Sequence, residues 1–296
     1  MFERQIRRHD RNTPMIGKTF PILALLMAGL IQPISAQAPA PPVTQMEKLN
    51  KETADKYEQI VTANSFPKEL APLFGQLDAR EEAVRIKAVH SLALVGGPMA
   101  ALLLRRAVDD DLERSSAVRS EAAKGLGDIG GRQALETLGV SLKDRDVTVR
   151  MRTVEALRFA GTVFAVPYIQ EALRNDVDLG VRLEAVRMLR KIGTQFSVQP
   201  LHEALLRDRN FTIRMASADA LGEIGKKERQ VASVLGEALV AGVEKNTSVR
   251  LEVIKSLGLV RDRAGLPYLA LAMTDDADLT VRMRATEIYG RVLGLQ

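Results

Sequence analysis

A β-branched residue followed by arginine recurs along this chain at Val84-Arg85, Val118-Arg119, Val149-Arg150, Val181-Arg182, Ile213-Arg214, Val249-Arg250 and Val281-Arg282, at intervals of 34, 31, 32, 32, 36 and 32 residues. A period of that length is one supersecondary unit that cannot bury its apolar face alone, so successive units must stack. Other positions keep the same register. Three residues past each arginine stand Ala88, Ala122, Thr153, Ala185, Ser217, Val253 and Ala285. Seven past it are Leu92, Leu126, Leu157, Leu189, Leu221, Leu257 and Tyr289, and ten past it Val95, Ile129, Ala160, Ile192, Ile224, Val260 and Val292. Offsets of three, seven and ten mark one face of a helix, and the small residues on it let neighbouring helices approach closely.

Each arginine therefore opens the second helix of a repeat. Eleven residues on, Gly96, Gly130, Gly161, Gly193 and Gly225 are placed to close that helix in the left-handed conformation, whereas repeat six has Arg261 and repeat seven has Gly294 one place later. The preceding helix is expected to start near Pro67, Pro98, Pro167, Pro200 and Pro267, because proline suits a first turn where its missing N–H is not needed. Six residues before the arginine lies an acid, Glu113, Asp144, Asp176, Asp208, Glu244 or Asp276, in every repeat but the first, which has Ala79 with Asp78 beside it. Acid and arginine can bridge within a repeat or between repeats, giving a ladder of charge-assisted hydrogen bonds.

The expected fold is all-α, a right-handed α-solenoid of seven two-helix repeats over residues 67–296. The composition agrees: 46% of residues are hydrophobic, only 4% are aromatic and tryptophan is absent, which suits closely packed helices better than a sandwich or barrel. The second helices resemble those of HEAT-like repeats in their short bacterial form, with the closest stretch at Ile213-Arg214-Met215-Ala216-Ser217-Ala218-Asp219-Ala220-Leu221-Gly222-Glu223-Ile224-Gly225. That resemblance implies architecture rather than a single activity, since the family holds scaffolds, bilin lyases, an iron hydroxylase and DNA-repair glycosylases.

Residues that could carry chemistry have structural explanations. The chain has no cysteine, which removes disulfides, thiolate metal sites and cysteine nucleophiles. His202-Glu203 resembles one of the His-Glu dipeptides that hold iron in HEAT-repeat hydroxylases, but that site needs several such dipeptides converging. Asp109-Asp110-Asp111 reads as a solvated acidic turn, and Asp144/Asp146 and Asp176/Asp178 recur with the repeat as caps. No catalytic residue, metal site or cofactor is assigned. A protein or peptide partner is expected instead, on the face formed one and five residues past each arginine. That face carries Ile86, Ser120, Met151, Leu183, Met215, Leu251 and Met283 beside alternating charges, and its adaptable apolar side chains suit protein contact. The central set is Met151, Arg152, Glu155, Leu183, Glu184, Arg187 and Met215. The other reading of these residues is packing between successive second helices, and an alternative function, implied by the resemblance alone, is a bilin-lyase-like enzyme. No nucleic acid is expected: of the net charge of +5, residues 1–38 contribute five cations against two acids, which leaves 37 basic and 35 acidic residues elsewhere.

The beginning of the chain reads as an export signal. Lys18 precedes an apolar run over residues 20–31, followed by Pro33 and the small residues around Ala36. At about a dozen residues the run falls short of the roughly 20 needed to span a bilayer. The expected plan is a signal over 1–36 with Met15 as an alternative start, a proline-rich linker over 37–44, a helix over 45–66 that covers the first repeat and opens with a capping box from Thr44 to Glu47, and then the repeats. The bacterial periplasm is the expected destination, without a membrane span after cleavage. We predict that the protein isolated from its native host begins after Ala36 or Ala38; N-terminal sequencing that returned Met1 or Met15 would refute export with cleavage.

Overall fold

The computed structural model describes residues 43–295 apart from 229 and 241–242. The expected signal, the start at Met15 and most of the expected linker lie outside these residues. What is described is helical, and after a leading helix α1 (Val43–Thr62) the helices fall into seven pairs. Repeat one pairs α2 (Ala71–Gln76) with α3 (Glu82–Val95), and repeat two pairs α4 (Gly97–Leu103) and α5 (Arg105–Val108) with α6 (Ser116–Ile129). Repeat three has α7 (Gly131–Ser141) and α8 (Val147–Gly161), and repeat four α9 (Val166–Asn175) and α10 (Leu179–Ile192). Repeat five has α11 (Gln195–Arg207) and α12 (Phe211–Gly225), repeat six α13 (Val231–Gly236) and α14 (Thr247–Val260), and repeat seven α15 (Leu266–Asp275) and α16 (Leu279–Leu293).

The repeat pattern becomes the core. The residue before the arginine is fully buried from Val118 to Val281, as are the small residues three past it and the leucines from Leu92 to Leu221 seven past it. Burying one such leucine contributes about 1.5–3 kcal/mol. The second helices pack backbone to backbone: a Cβ on Gly127 would lie 3.0 Å from the Ala156 Cα, and one on Gly222 would lie 3.1 Å from the Ser256 Cα. The first helices are held apart by whole side chains, such as the Tyr168 ring over Gly139 and the Tyr268 ring over Gly236. A stack whose second helices sit closer than its first curves toward the second helices, and the result is an α-solenoid.

From repeat two onward each second helix starts on a side-chain cap four residues before its arginine, whereas Glu81 of repeat one makes no such bond. Ser115, Asp146, Asp178, Asn210, Asn246 and Asp278 accept the N–H of Val118, Thr148, Gly180, Thr212, Ser248 and Thr280. The Thr148 and Thr280 amides hold the Asp146 and Asp278 carboxyls below the usual carboxylate range. The helix ends vary more than expected. Gly96, Gly130 and Gly193 take positive φ of 70°, 67° and 61°, as does Arg261 in repeat six at 54°. Gly161 does not, and Gly225 ends inside α12. These two are small for lack of room, because a Cβ would lie 2.6 Å from Leu135 at the first and 2.5 Å from Val260 at the second. Ten past the arginine the core pattern also loosens, with Val95 59% exposed. Pro98, Pro167 and Pro267 lie in the first turn of their helices, but Pro200 lies within α11. Short 3-10 turns precede α9 and α15, whereas in repeat five the corresponding turn runs on as α-helix.

The acid–arginine ladder runs between repeats, in one direction. Arg85, Arg119, Arg150, Arg182, Arg214 and Arg250 each clasp the acid of the following turn, Glu113, Asp144, Asp176, Asp208, Glu244 and Asp276, with two nitrogens on two oxygens. The third nitrogen donates to a carbonyl of the arginine's own turn, as from Arg119 to Glu113 O at 2.8 Å. Each acid also accepts the N–H two residues on in its own turn, as Asp144 does from Asp146 at 2.7 Å. The Arg119–Asp144 pair has bonds of 2.6 and 2.9 Å and both side chains only 1% exposed.

Helix α1 differs from expectation in extent and in place. It begins at Val43, inside the stretch assigned to the linker, ends at Thr62, and holds Thr44 within it rather than as its cap. It lies not on repeat one but across the first helices of repeats two and three, α4 and α7. There the buried Thr53 hydroxyl and the Arg132 guanidinium both donate to the buried Glu136 carboxylate. The apolar spacing of α1 defines which face is sticky, and this polar cluster defines where it lands.

Breaking a buried pair strands a charge, at a cost of about 3–5 kcal/mol. We predict that Arg119→Ala lowers unfolding free energy by about that amount, and that Arg85→Ala, whose side chain is 15% exposed, costs less. Urea denaturation with equal losses at both positions would show that ladder burial does not set its strength.

Candidate functional site

The second helices place the expected central set along one side of the solenoid. One residue past the ladder arginine, Met151 is 37% exposed and Met283 65%, while Ile86, Ser120, Leu183, Met215 and Leu251 are partly covered. Beside this stripe run pairs one helical turn apart: Arg152 to Glu155 at 2.7 Å, Arg187 to Glu184 at 2.8 and 2.6 Å, Lys255 to Glu252 at 2.7 Å, and Arg284 to Glu287. The sign order inverts from repeat three to four and again from six to seven, so unlike charges also meet across repeats. Asp219 takes Arg190 from one side at 3.0 Å and Lys255 from the other at 3.6 Å. Bonding to Glu184 raises the Arg187 pKa, with Glu155 of the neighbouring repeat adding to it. Bonding to His90 holds Glu121 below the usual range, against the opposing effect of burial and with help from Lys124 and Arg152.

Of the expected set, Met151, Arg152 and Arg187 are accessible and Glu155, Leu183 and Met215 partly so, but Glu184 is only 8% exposed. Its carboxylate is turned under the Arg187 guanidinium, so its charge serves the helix rather than an incoming partner. One feature lies outside the set. Between the second helices of repeats one and two, with Thr148 of repeat three, an open groove of about 510 Å³ is lined by Ile86, His90, Ser116, Ala117, Ser120, Glu121 and Thr148. The sequence signal for it is Ser120, a small residue in a column otherwise filled by Ile, Met and Leu.

The other groups singled out in the sequence, His202-Glu203 and Asp109-Asp110-Asp111, have neighbours of their own. His202 and Glu203 diverge from α11. His202 Nε2 lies 2.9 Å from Glu237 in the next repeat, while Glu203 accepts from Gln199 in its own helix and from Gln170 and Arg174 in the preceding repeat. Burial pushes the Glu203 pKa up, but its bonds to Arg174 and the two glutamines outweigh this and hold it below the usual range. The three carboxylates of Asp109, Asp110 and Asp111 come within 4.8 Å of one another. Asp109 accepts the Asp111 N–H, and Asp110 accepts the Arg145 N–H of the next turn, so both shape the turn.

Losing Arg187 would leave the Glu184 carboxylate buried and single. We predict that Arg187→Ala destabilises by about 1–3 kcal/mol, whereas Arg152→Ala, from an exposed pair, changes stability by about 0.5 kcal/mol or less. Thermal and denaturant melts with the order reversed would overturn this placement of Glu184.

A family model described as HEAT repeats matches residues 112–190, 166–244 and 198–290. No curated protein matches the sequence. Among solved structures, human deoxyhypusine hydroxylase is similar at 21% identity over 86% of this chain and 100% of that one, with a TM-score of 0.39. The complex of CpcE and CpcF of phycocyanin lyase from Nostoc is similar at 18% identity over 77% and 98%, with a TM-score of 0.41. The archaeal HEAT-like repeats protein from Thermococcus onnurineus follows at 14% identity over 88% and 99%, with a TM-score of 0.35. The family match spans every repeat from the second turn of the ladder to the last helix, and the chain belongs to the HEAT repeat family.

Proposed function

We propose that this protein is an exported, non-catalytic scaffold whose concave second-helix face binds an extended protein or peptide. The observation that carries this reading is the contrast within that face. Its charges largely neutralise one another in pairs, whereas the Met and Leu stripe beside them remains partly open, from Met151 at 37% to Met283 at 65% exposure. A partner gains by covering the stripe without having to break many ion pairs. Local charge pairing then sets register rather than long-range attraction. The groove beside Ser120 offers room for one bulky side chain of the partner, and flexible methionines beyond it adapt to the remainder.

The test is site-specific photo-crosslinking in the native envelope, with the reactive residue at Met151 or Met215 and, as control, at Gln199 on the opposite layer. Adducts to a common partner at the first two positions, and a loss of affinity of about tenfold or more for that partner on Met151→Asp with melting unchanged, are expected. Adducts confined to Gln199 would move the binding surface to the first helices.

A further inference from the structure

The turns that carry the ladder form an edge that the second-helix face does not use. The same bonds close each turn, arginine to carbonyl and acid to N–H, so residues equally far before the arginine project the same way from repeat to repeat. From repeat three to repeat six this edge gathers Lys143, Arg145, Arg207, Arg209 and Lys245. All but Arg207 stand within the turns themselves, every one is exposed, and among the described residues none of their side-chain nitrogens has a carboxylate oxygen within 4.0 Å, the Asp110 carboxylate meeting only the Arg145 backbone N–H. The acids between them, Asp146 and Asp178, are turned inward onto helix amides. The basic stretch is bounded by Glu81, Glu82 and the Asp109–Asp111 turn at one end and by Asp275 at the other.

Apolar side chains stand among these cations at the tips of the turns. Val147 is 38% exposed, Val177 78%, Leu179 36% and Phe211 47%. The two sets interleave, since Arg209 Nη2 reaches across to donate to the Val177 carbonyl at 3.0 Å. The tips protrude in a row from the ladder. Cations beside protruding apolar groups are what an interfacial surface needs: the cations meet headgroups while the apolar tips enter the headgroup–acyl boundary. A nucleic acid would engage the cations but leave the aliphatic tips in water, and a single ring provides no stacking series.

We propose that this edge, over repeats three to six, seats the protein on an anionic phospholipid surface, independently of partner binding on the second-helix face. The absence of cysteine allows one polarity-sensitive fluorophore to be placed at Val177→Cys, or at Leu94→Cys, a position 88% exposed in the last turn of α3, away from the ladder turns. Full-length protein is mixed with phosphatidylcholine vesicles with or without phosphatidylglycerol. A blue shift is expected at position 177 but not at 94, only with phosphatidylglycerol, and reversed by about 1 M salt, where the Debye length is about 3 Å. Comparing positions within one chain separates the edge from the apolar segment near the N-terminus. The triple variant Arg145→Glu, Arg209→Glu and Lys245→Glu spares every ladder residue and is expected to weaken vesicle partition on the order of a hundredfold. Val177→Ser with Phe211→Ser should weaken it severalfold. Equal shifts at both positions, undiminished partition of the triple variant with unchanged melting, or charge-dependent binding to single-stranded DNA without binding to vesicles would each overturn the proposal.

Discussion

The structure rests on one three-way junction: a guanidinium that holds its own turn by a carbonyl and the next turn by a carboxylate, which is itself fixed by a backbone amide. Hydrophobic burial alone would let stacked helix pairs slide, because Ala, Leu and Val surfaces fit in more than one register. The junction removes that freedom. Arg119 and Asp144 are nearly inaccessible, and a displaced register would leave both charges in a low-dielectric setting with no partner. Pitch, turn conformation and the common direction of side chains along each surface follow from it.

The division of labour between layers has the same origin. Second helices anchored at their first turns by the ladder can approach until Gly127 meets Ala156 and Gly222 meets Ser256. First helices, without such an anchor, are spaced by rings and by α1, which is laid over two of them. The inner face is therefore regular and the outer face irregular. A regular face of paired charges and open methionines is adaptable along its length, and the row of turns beside it is stiff.

Much of this was legible in the sequence because periodicity reports which positions must be buried: Val118 through Val281, the leucines and the small residues all lie where the spacing put them. The direction of the ladder was not legible. Asp176 stands six residues before Arg182 and is the natural partner by distance along the chain, yet it gives Arg182 its carbonyl and gives Arg150 its carboxylate. The burial of Glu184 was hidden for a related reason, since a helical wheel treats Glu184 and Arg187 as equal surface charges and only packing turns one beneath the other. Pro200 and α1 show the same limit. Local preference identifies a helix and its sticky side, but the neighbour it meets is fixed by groups distant in sequence, such as Glu136 for Thr53.

Because each turn brings both the acid that receives the preceding arginine and the arginine that reaches for the next, an inserted copy of any interior unit would complete the chain of bonds on both sides without further change. Gene duplication can thus lengthen such a protein one unit at a time, each intermediate being as well bonded as its parent. The spread of 31 to 36 residues between successive units is absorbed in the connecting segments, which are free to diverge while the junctions stay alike.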